Sequence, residues 1–258
     1  MSDENDKDTV MTSASTSEGV VPTAGGDHGT EAAHVALADL ARALHAKTRT
    51  GPLAVLNDAV AAALTLIPGA TSAAVTTVKG RTIIETLAAT DEHATQFDHL
   101  QQRSGQGPCL DAAAGQYTIE VSDLGTDDRW PTLAADAAAH SPIRAMVSYP
   151  LFTHTENLGV LTVYCTAPHA ITDDALSVGY ALAAHAALAY DAARRYEQFH
   201  RALTSRDSIG QAKGITMERF NIDAEAAFAL LATLSQDTNV SVAQIAQQLA
   251  QSKPDSTT

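Results

Sequence analysis

The chain is short of basic residues and of cysteine, and no apolar stretch in it is long. Lys and Arg number 16 against 30 Asp and Glu over 258 residues, a formal net charge of −14. That sign excludes a protein that coats nucleic acid through its overall field, so any grip on a polyanion must come from a local basic stripe. Two cysteines, Cys109 and Cys165, make neither a disulfide framework nor a metal-ligand cluster. The ten histidines are scattered. His93 and His99 lie six apart, on different faces of one helical stretch, so no metal site is expected. No Gly-rich phosphate loop, catalytic triad or carboxylate pair stands out, and no catalytic residue is assigned. The chain reads as not an enzyme. No apolar run reaches the ~18 residues of a membrane span, and the N-terminus lacks a basic-then-apolar signal. These absences predict a cytoplasmic protein without a membrane partner.

What is present sorts into blocks. Residues 1–30 are Ser, Thr, Gly, Asp and Glu with hardly a large apolar side chain. They cannot offset the entropy of folding and read as a disordered acidic tail. Helical spacing covers residues 31–47 and 52–67, separated by Thr50-Gly51-Pro52 and stopped by Pro68-Gly69. Two β-branched runs, 72–79 and 81–88, meet at Lys79-Gly80 as a hairpin. A helix is predicted over 91–102, a loop over 104–112, a strand over 117–121 and a helix over 132–139. Two more strands, 145–153 and 158–166, flank the polar turn His154-Thr155-Glu156-Asn157. The order suits an α+β layer, an antiparallel sheet with helices on one face, spanning residues 31–190.

After Ala170 a long helix begins, with Thr172 as N-cap and Asp173-Asp174 complementing the helix dipole. Neither Pro nor Gly interrupts residues 180–206. Leu182, Ala186, Ala189, Ala193, Tyr196, His200 and Leu203 repeat at spacings of four and three, the period of a coiled coil. Residues 173–206 therefore read as a signalling and dimerisation helix in a homodimer, against the alternative of one amphipathic helix packed on its own domain. Two short helices follow. Asp223 caps the first, whose apolar stripe is Ala226, Ala227, Leu230, Leu231 and Leu234; Asn239 or Ser241 caps the second, with Val242, Ile245, Ala246 and Leu249 facing inward. Residues 252–258 are tail.

Between the long helix and these two lies the segment 203–220. Ile209, Ala212, Ile215, Thr216 and Phe220 cover one broad arc, and Arg206 and Lys213 fall within about 20° of each other opposite it. Gly210 and Met217 flank the cations, and Gly214 follows Lys213 in the chain. Two glycines inside a helix, each costing about 1 kcal/mol against Ala, need a reason. It is either close helix packing or a backbone kept bare for a partner beside two cations.

This segment resembles the ANTAR family of RNA-binding antitermination modules. The resemblance rests on Ser205-Arg206, Ile209, Ala212-Lys213-Gly214-Ile215, Met217-Glu218-Arg219, Ala227-Phe228, Leu231, Leu234-Ser235, Asn239 and Ile245-Ala246, across residues 200–251. It implies a three-helix domain that binds paired stem-loops in leader mRNA, in the context of a transcribing RNA polymerase, and blocks terminator formation. Arg206, Gly210, Lys213, Gly214, Met217, Arg219 and Asn239 are the implied RNA-binding residues. Upstream, Gly105-x-Gly107-Pro108-Cys109-Leu110-Asp111-Ala112, Asp128-Arg129-Trp130-Pro131, Ser148-Tyr149-Pro150-Leu151 and Leu158-Gly159-Val160-Leu161 look like the GAF domains fused to ANTAR modules in actinobacterial-type regulators. The implied architecture is a GAF-like sheet with flanking helices, joined by a long coiled-coil helix to an all-α ANTAR domain. A GAF domain implies a small-molecule ligand, left unidentified, with Gly107, Cys109, Asp111 and Trp130 as candidate contacts. GAF-type reductases use several cysteines, and two thiols in separate motifs do not fit that chemistry.

One departure matters. Where the family carries further basic residues, this chain has Leu231-Ala232-Thr233 and Asn239-Val240-Ser241-Val242. Fewer phosphate contacts imply weaker binding with a shallower salt dependence. The rival reading is a protein-interaction sensor with vestigial RNA binding. DNA is not an expected partner, because Gln244, Gln247, Gln248 and Gln251 on the last helix come without Arg or Lys to anchor phosphates.

Overall fold

The computed structural model describes residues 27–153 and 156–251. The expected tail through residue 26, the His154-Thr155 turn residues and the expected tail from residue 252 lie outside them. Residues 27–30, expected in the tail, form the first turn of a helix, because helix propagation needs no apolar residue once the next turn is in place.

Five strands, β1 (Ser72–Lys79), β2 (Ile83–Ala89), β3 (Ile119–Val121), β4 (Ala145–Phe152) and β5 (Asn157–Cys165), form one antiparallel sheet in the order β2-β1-β5-β4-β3. The β1–β2 hairpin turns at Gly80, whose φ of 66° suits a residue without Cβ. Successive residues of a strand point to opposite faces, and in the inner strands both sets are apolar. Val75, Tyr149, Leu151, Leu161 and Val163 lie in one buried cluster; Ala74, Met146, Val160 and Tyr164 lie in the other.

Both faces must then be covered, which corrects the expectation of helices on one face only. The first face is closed by α1 (Asp27–Ala46), α2 (Pro52–Leu66) and the start of a long helix. The second is closed by α3 (Glu92–Ser104), α4 (Pro108–Gly115) and α5 (Pro131–His140). The predicted loop over 104–112 is mostly α4. Gly105, at φ 64°, ends α3 and Pro108 starts α4 at its first turn, so Gly and Pro here mark two helix boundaries rather than an extended connection.

The long helix α6 (Asp173–Phe220) runs 48 residues, about 72 Å. The Thr172 hydroxyl caps it, accepting from Ala175 N–H at 3.2 Å. Its first half docks on β4: the Tyr149 hydroxyl donates to the Leu176 carbonyl at 3.3 Å, and its ring fills the space that a side chain at Gly179 would need. Leu182, Ala186, Ala189 and Ala193 are buried in the first-face cluster with α1 and α2. The upper part of the predicted coiled-coil stripe is therefore this domain's own packing. The lower part, Tyr196, His200 and Leu203, is exposed.

Two helices, α7 (Ala224–Thr238) and α8 (Val242–Gln251), complete a small unit with the last turns of α6. Asp223 caps α7, accepting from Glu225 and Ala226 N–H. Asn239 ends α7 in the left-handed conformation, while Ser241 and Gln244 cap α8 reciprocally. The core is Ala212, Leu231, Ile245 and Ala246, with Ile209, Val240, Val242 and Leu249 packed around it. It is narrower than the apolar pattern predicted. Ala226, Leu230 and Leu234 of α7 are exposed, as are Ile215 and Phe220 of α6. The physical reason is coverage: α8 lies back beside the turns from Glu197 to Ala212, leaving the end of α6 open.

Candidate nucleic-acid interface

The unbroken α6 backbone places its exposed residues in register. Arg206, Gly210, Lys213 and Met217 follow one another at spacings of four and three along one line, about 120° around the helix from buried Ala212 and Thr216. Arg206 and Gly210 are exposed; Lys213 and Met217 are half-buried. The line faces away from the groove where α8 meets Glu197, Arg201, Ser205 and Ser208.

Electrostatics separates this segment from the rest of the helix. Upstream, Arg194 pairs with Glu156, Arg195 with Asp191 and Arg201 with Glu197. Arg206, Lys213 and Arg219 have no ion pair among the described residues. In a chain with nearly twice as many acids as bases, three consecutive cations without partners are a local exception to the overall field.

The space around the two glycines removes one of the two reasons left by the sequence. A Cβ at Gly210 or Gly214 would meet nothing within 4 Å. Close packing within this chain is therefore not why they are glycine, and they leave bare backbone beside the cations. Arg219 is exposed but lies about 120° around the helix from Lys213. Asn239 sits on the α7–α8 turn rather than on α6, and its left-handed backbone (φ 54°) is one that Asn tolerates well. Neither α7 nor α8 contains Lys or Arg.

Two residues not assigned to the interface from the sequence belong to the same line, and Phe220 corrects the expectation that the apolar arc lies opposite the cations, since it falls within about 20° of Lys213. Phe199 and Phe220, each 61% exposed, stand seven residues before Arg206 and seven after Lys213. The signal was present in the sevenfold spacing Phe199, Arg206, Lys213, Phe220, but an apolar residue in a helix reads as core unless its exposure is known.

In the α/β domain, Gly107, Cys109, Asp111 and Trp130 are brought together around α4. Trp130 Nε1 donates to Asp111 Oδ2 at 2.8 Å, and the Arg129 guanidinium stacks over the indole at 4.3 Å. Cys109 N–H donates to Gln101 Oε1 at 2.9 Å, and its Sγ lies 2.9 Å from Thr76 Oγ1. Gly107 lies against Gln101, where a Cβ would collide with the amide. Beside them Asp98 is buried, accepting from Thr86 Oγ1 at 2.8 Å and Tyr164 Oη at 2.9 Å. Burial pushes its carboxyl up to about 6 against the pull of those two donors. Burial also pushes the Cys109 thiol up to about 12, with Asp98 adding to it, and the Cys165 thiol up to about 11. Both thiols are thus held protonated and out of solvent, the reverse of an activated cysteine. The amide Nε2 of Gln101 is buried and makes no hydrogen bond among the described residues.

On the opposite face, an apolar groove of about 510 Å³ runs between β4 and α6, lined by Tyr117, Tyr149, Phe152, Tyr180 and Leu188 among others. Among the described residues no group of His, Cys, Asp and Glu could hold a metal ion, and no helix is long and apolar enough to cross a membrane.

Comparison with known proteins agrees with this division of the chain. A GAF domain model matches residues 50–191 and an ANTAR domain model matches residues 197–249. No curated relative matches. Among solved structures, the chain is similar to a free methionine-R-sulfoxide reductase from Neisseria meningitidis. That likeness has 16% identity and a TM-score of 0.48, over 67% of this chain and 96% of that one. It is also similar to the GAF domain of a phosphoenolpyruvate-protein phosphotransferase from Coxiella burnetii, at 14% identity and a TM-score of 0.47, over 64% and 98%. A GAF domain/HD domain protein from Geobacter sulfurreducens matches at 16% identity and a TM-score of 0.45, over 57% and 97%. With a GAF domain over more than half its length and an ANTAR domain directly after it, this chain belongs to the GAF family and is a regulator of the GAF–ANTAR type.

Proposed function

We propose that this protein is a cytoplasmic, signal-responsive antitermination regulator whose ANTAR domain binds tandem stem-loops in nascent leader mRNA. The observation that carries this reading is the line Arg206, Gly210, Lys213 on α6 with Gly214 beside it: cations without an ion pair among the described residues, next to bare backbone on an otherwise acidic chain. Arg can pair two donors with a phosphate or a guanine edge and Lys supplies a point charge, while glycine lets an RNA loop approach the helix. Met217 extends the same line, and Arg219 and Asn239 add exposed polar groups on other sides of the unit.

The GAF domain is the sensor. Its polar interior around Gln101, Cys109 and Asp98 holds an amide Nε2 without a hydrogen-bond partner among the described residues, which supports a small polar molecule as the signal. Gly107, Asp111 and Trp130 would position α4 around it. The Tyr149–Gly179 contact ties the sheet to α6, so that a change in the domain can turn or shift the helix that carries the cations. A bias of a few kcal/mol between two arrangements suffices to switch binding. A homodimer formed through Tyr196, His200 and Leu203 would sum two modest RNA sites, one per stem-loop. The setting is a transcribing RNA polymerase, neither a membrane nor DNA being the target.

The test is retention of two-hairpin leader RNAs by the purified full chain in a gel shift, with and without candidate ligands. No retention in any condition would reject the reading. A second reading, a protein-interaction sensor, is favoured by one observation: α7 and α8 lack cations and leave Phe228, Leu230 and Leu234 exposed. Enrichment of a signalling kinase or phosphatase in a pull-down, without RNA, would favour it.

A further inference from the structure

We propose that Phe220 is a base-stacking residue of the RNA interface, taking the face of an unpaired loop base beside the phosphate held by Lys213. This rests on the RNA-binding reading above and adds to it a contact of a different chemistry.

Phe220 is the last residue of α6, and 61% of it is exposed. It belongs to none of the three hydrophobic clusters and makes no ring contact with another aromatic among the described residues. Its position is nevertheless well defined. Asn221 adopts the left-handed conformation (φ 52°), and its N–H donates to the Met217 carbonyl, closing the helix at this point. Seven residues from Lys213, Phe220 falls within about 20° of it around the helix and about 10 Å further along the axis. It is thus an exposed ring on the same face as two cations that have no ion pair among the described residues, with Met217 between ring and ammonium along the axis.

Charge complementarity argues for RNA as the occupant. A second copy of this chain laid along the same face would bring Arg206 and Lys213 against their own equivalents, whereas a polyanion neutralises them. Single-stranded nucleic acid is held by this combination: cations track the backbone and aromatic rings take successive bases, since every base has a π face. Stacking also supplies what the unit lacks. With no Lys or Arg in α7 or α8, phosphate contacts are few, and a ring that stacks adds affinity that salt does not screen.

The experiment uses the full chain and tandem-hairpin RNAs, randomised in both loops, that the native sequence selects from a pool. Phe220→Ala should weaken binding about tenfold or more while leaving the slope of log K against log salt unchanged, with helicity by circular dichroism intact. Lys213→Ala should weaken binding and flatten that slope. Phe220→Trp should retain affinity, and its fluorescence should be quenched by the RNA; Trp130, only 3% exposed, contributes a constant background measured on the unsubstituted protein. If Phe220→Ala binds as well as the native chain while Lys213→Ala does not, the stacking role is overturned and the RNA reading stands. A Phe220→Ala protein with native RNA affinity but altered sedimentation would likewise overturn it, placing the ring in a protein contact. If the native chain selects no RNA, the functional reading fails and this proposal with it.

Discussion

Arg201 and Arg206 lie five residues apart on α6, yet Arg201 is ion-paired to Glu197 at 2.5 Å whereas Arg206 has no carboxylate partner among the described residues. An exposed pair within a helix contributes only a few tenths of a kcal/mol, so the difference matters little for stability. It matters for recognition, because a cation already neutralised has less to offer a phosphate. Arg206→Ala and Lys213→Ala should each weaken RNA binding several-fold and reduce the salt slope by about 0.7 to 0.9 for each phosphate no longer neutralised. Arg201→Ala should do neither. Filter binding over a salt series separates the three.

Gly210 and Gly214 should separate folding from function. Each sits in open space in a helix interior, so Gly→Ala at either position should stabilise the protein by up to about 1 kcal/mol. If the bare backbone receives RNA, the same substitutions should lower affinity. A raised melting temperature with reduced RNA retention is the expected pair of results; a raised melting temperature with native retention would remove the glycines from the interface.

The Tyr149–Gly179 contact should behave in the opposite way. A Cβ at residue 179 would overlap the Tyr149 hydroxyl, so Gly179→Ala overpacks the junction of β4 and α6. The expected cost is about 1–3 kcal/mol in denaturant unfolding. Tyr149→Phe in the same background should recover little of it, because the ring's Cζ and Cε2 remain in the collision.

Asp98 makes stability depend on pH with a definite sign. Its folded-state value, about 6, lies above the ordinary 3.8, so the folded protein holds this proton more tightly than the unfolded chain does. The stabilisation it gives is fully present below about pH 4 and is lost as the pH rises through 6, a change on the order of 3 kcal/mol. Asp98→Asn should flatten this segment of the stability curve. Urea titrations at pH 4, 5, 6 and 7 measure it, and a native-like dependence in the variant would assign the effect elsewhere.

Much of the local structure was legible from local chemistry. Thr172 and Asp223 cap helices as predicted, and the hairpin turns at Gly80. The two domain assignments, read from Gly107-Pro108-Cys109 and from Ala212-Lys213-Gly214-Ile215, agree with the matched families. In each case a residue constrains its own backbone or its immediate neighbours, and sequence distance equals spatial distance.

What the tertiary structure decided is coverage. One period runs from Leu182 to Leu203, and nothing in it distinguishes a turn that lies on the sheet from one that faces solvent. Leu182 to Ala193 are buried because α1 and α2 lie over them; Tyr196 and Leu203 are exposed because nothing does among the described residues. The same holds for Leu230, Leu234 and Phe220, which the apolar pattern assigned to a core too narrow to hold them. Local sequence located most helices and strands, though not every boundary, and carried the motifs of both families, since capping and periodicity are properties of neighbouring residues. Which apolar residues are core and which cations stay unpaired depended on elements tens of residues away, because burial and ion pairing belong to the packed molecule rather than to any one segment.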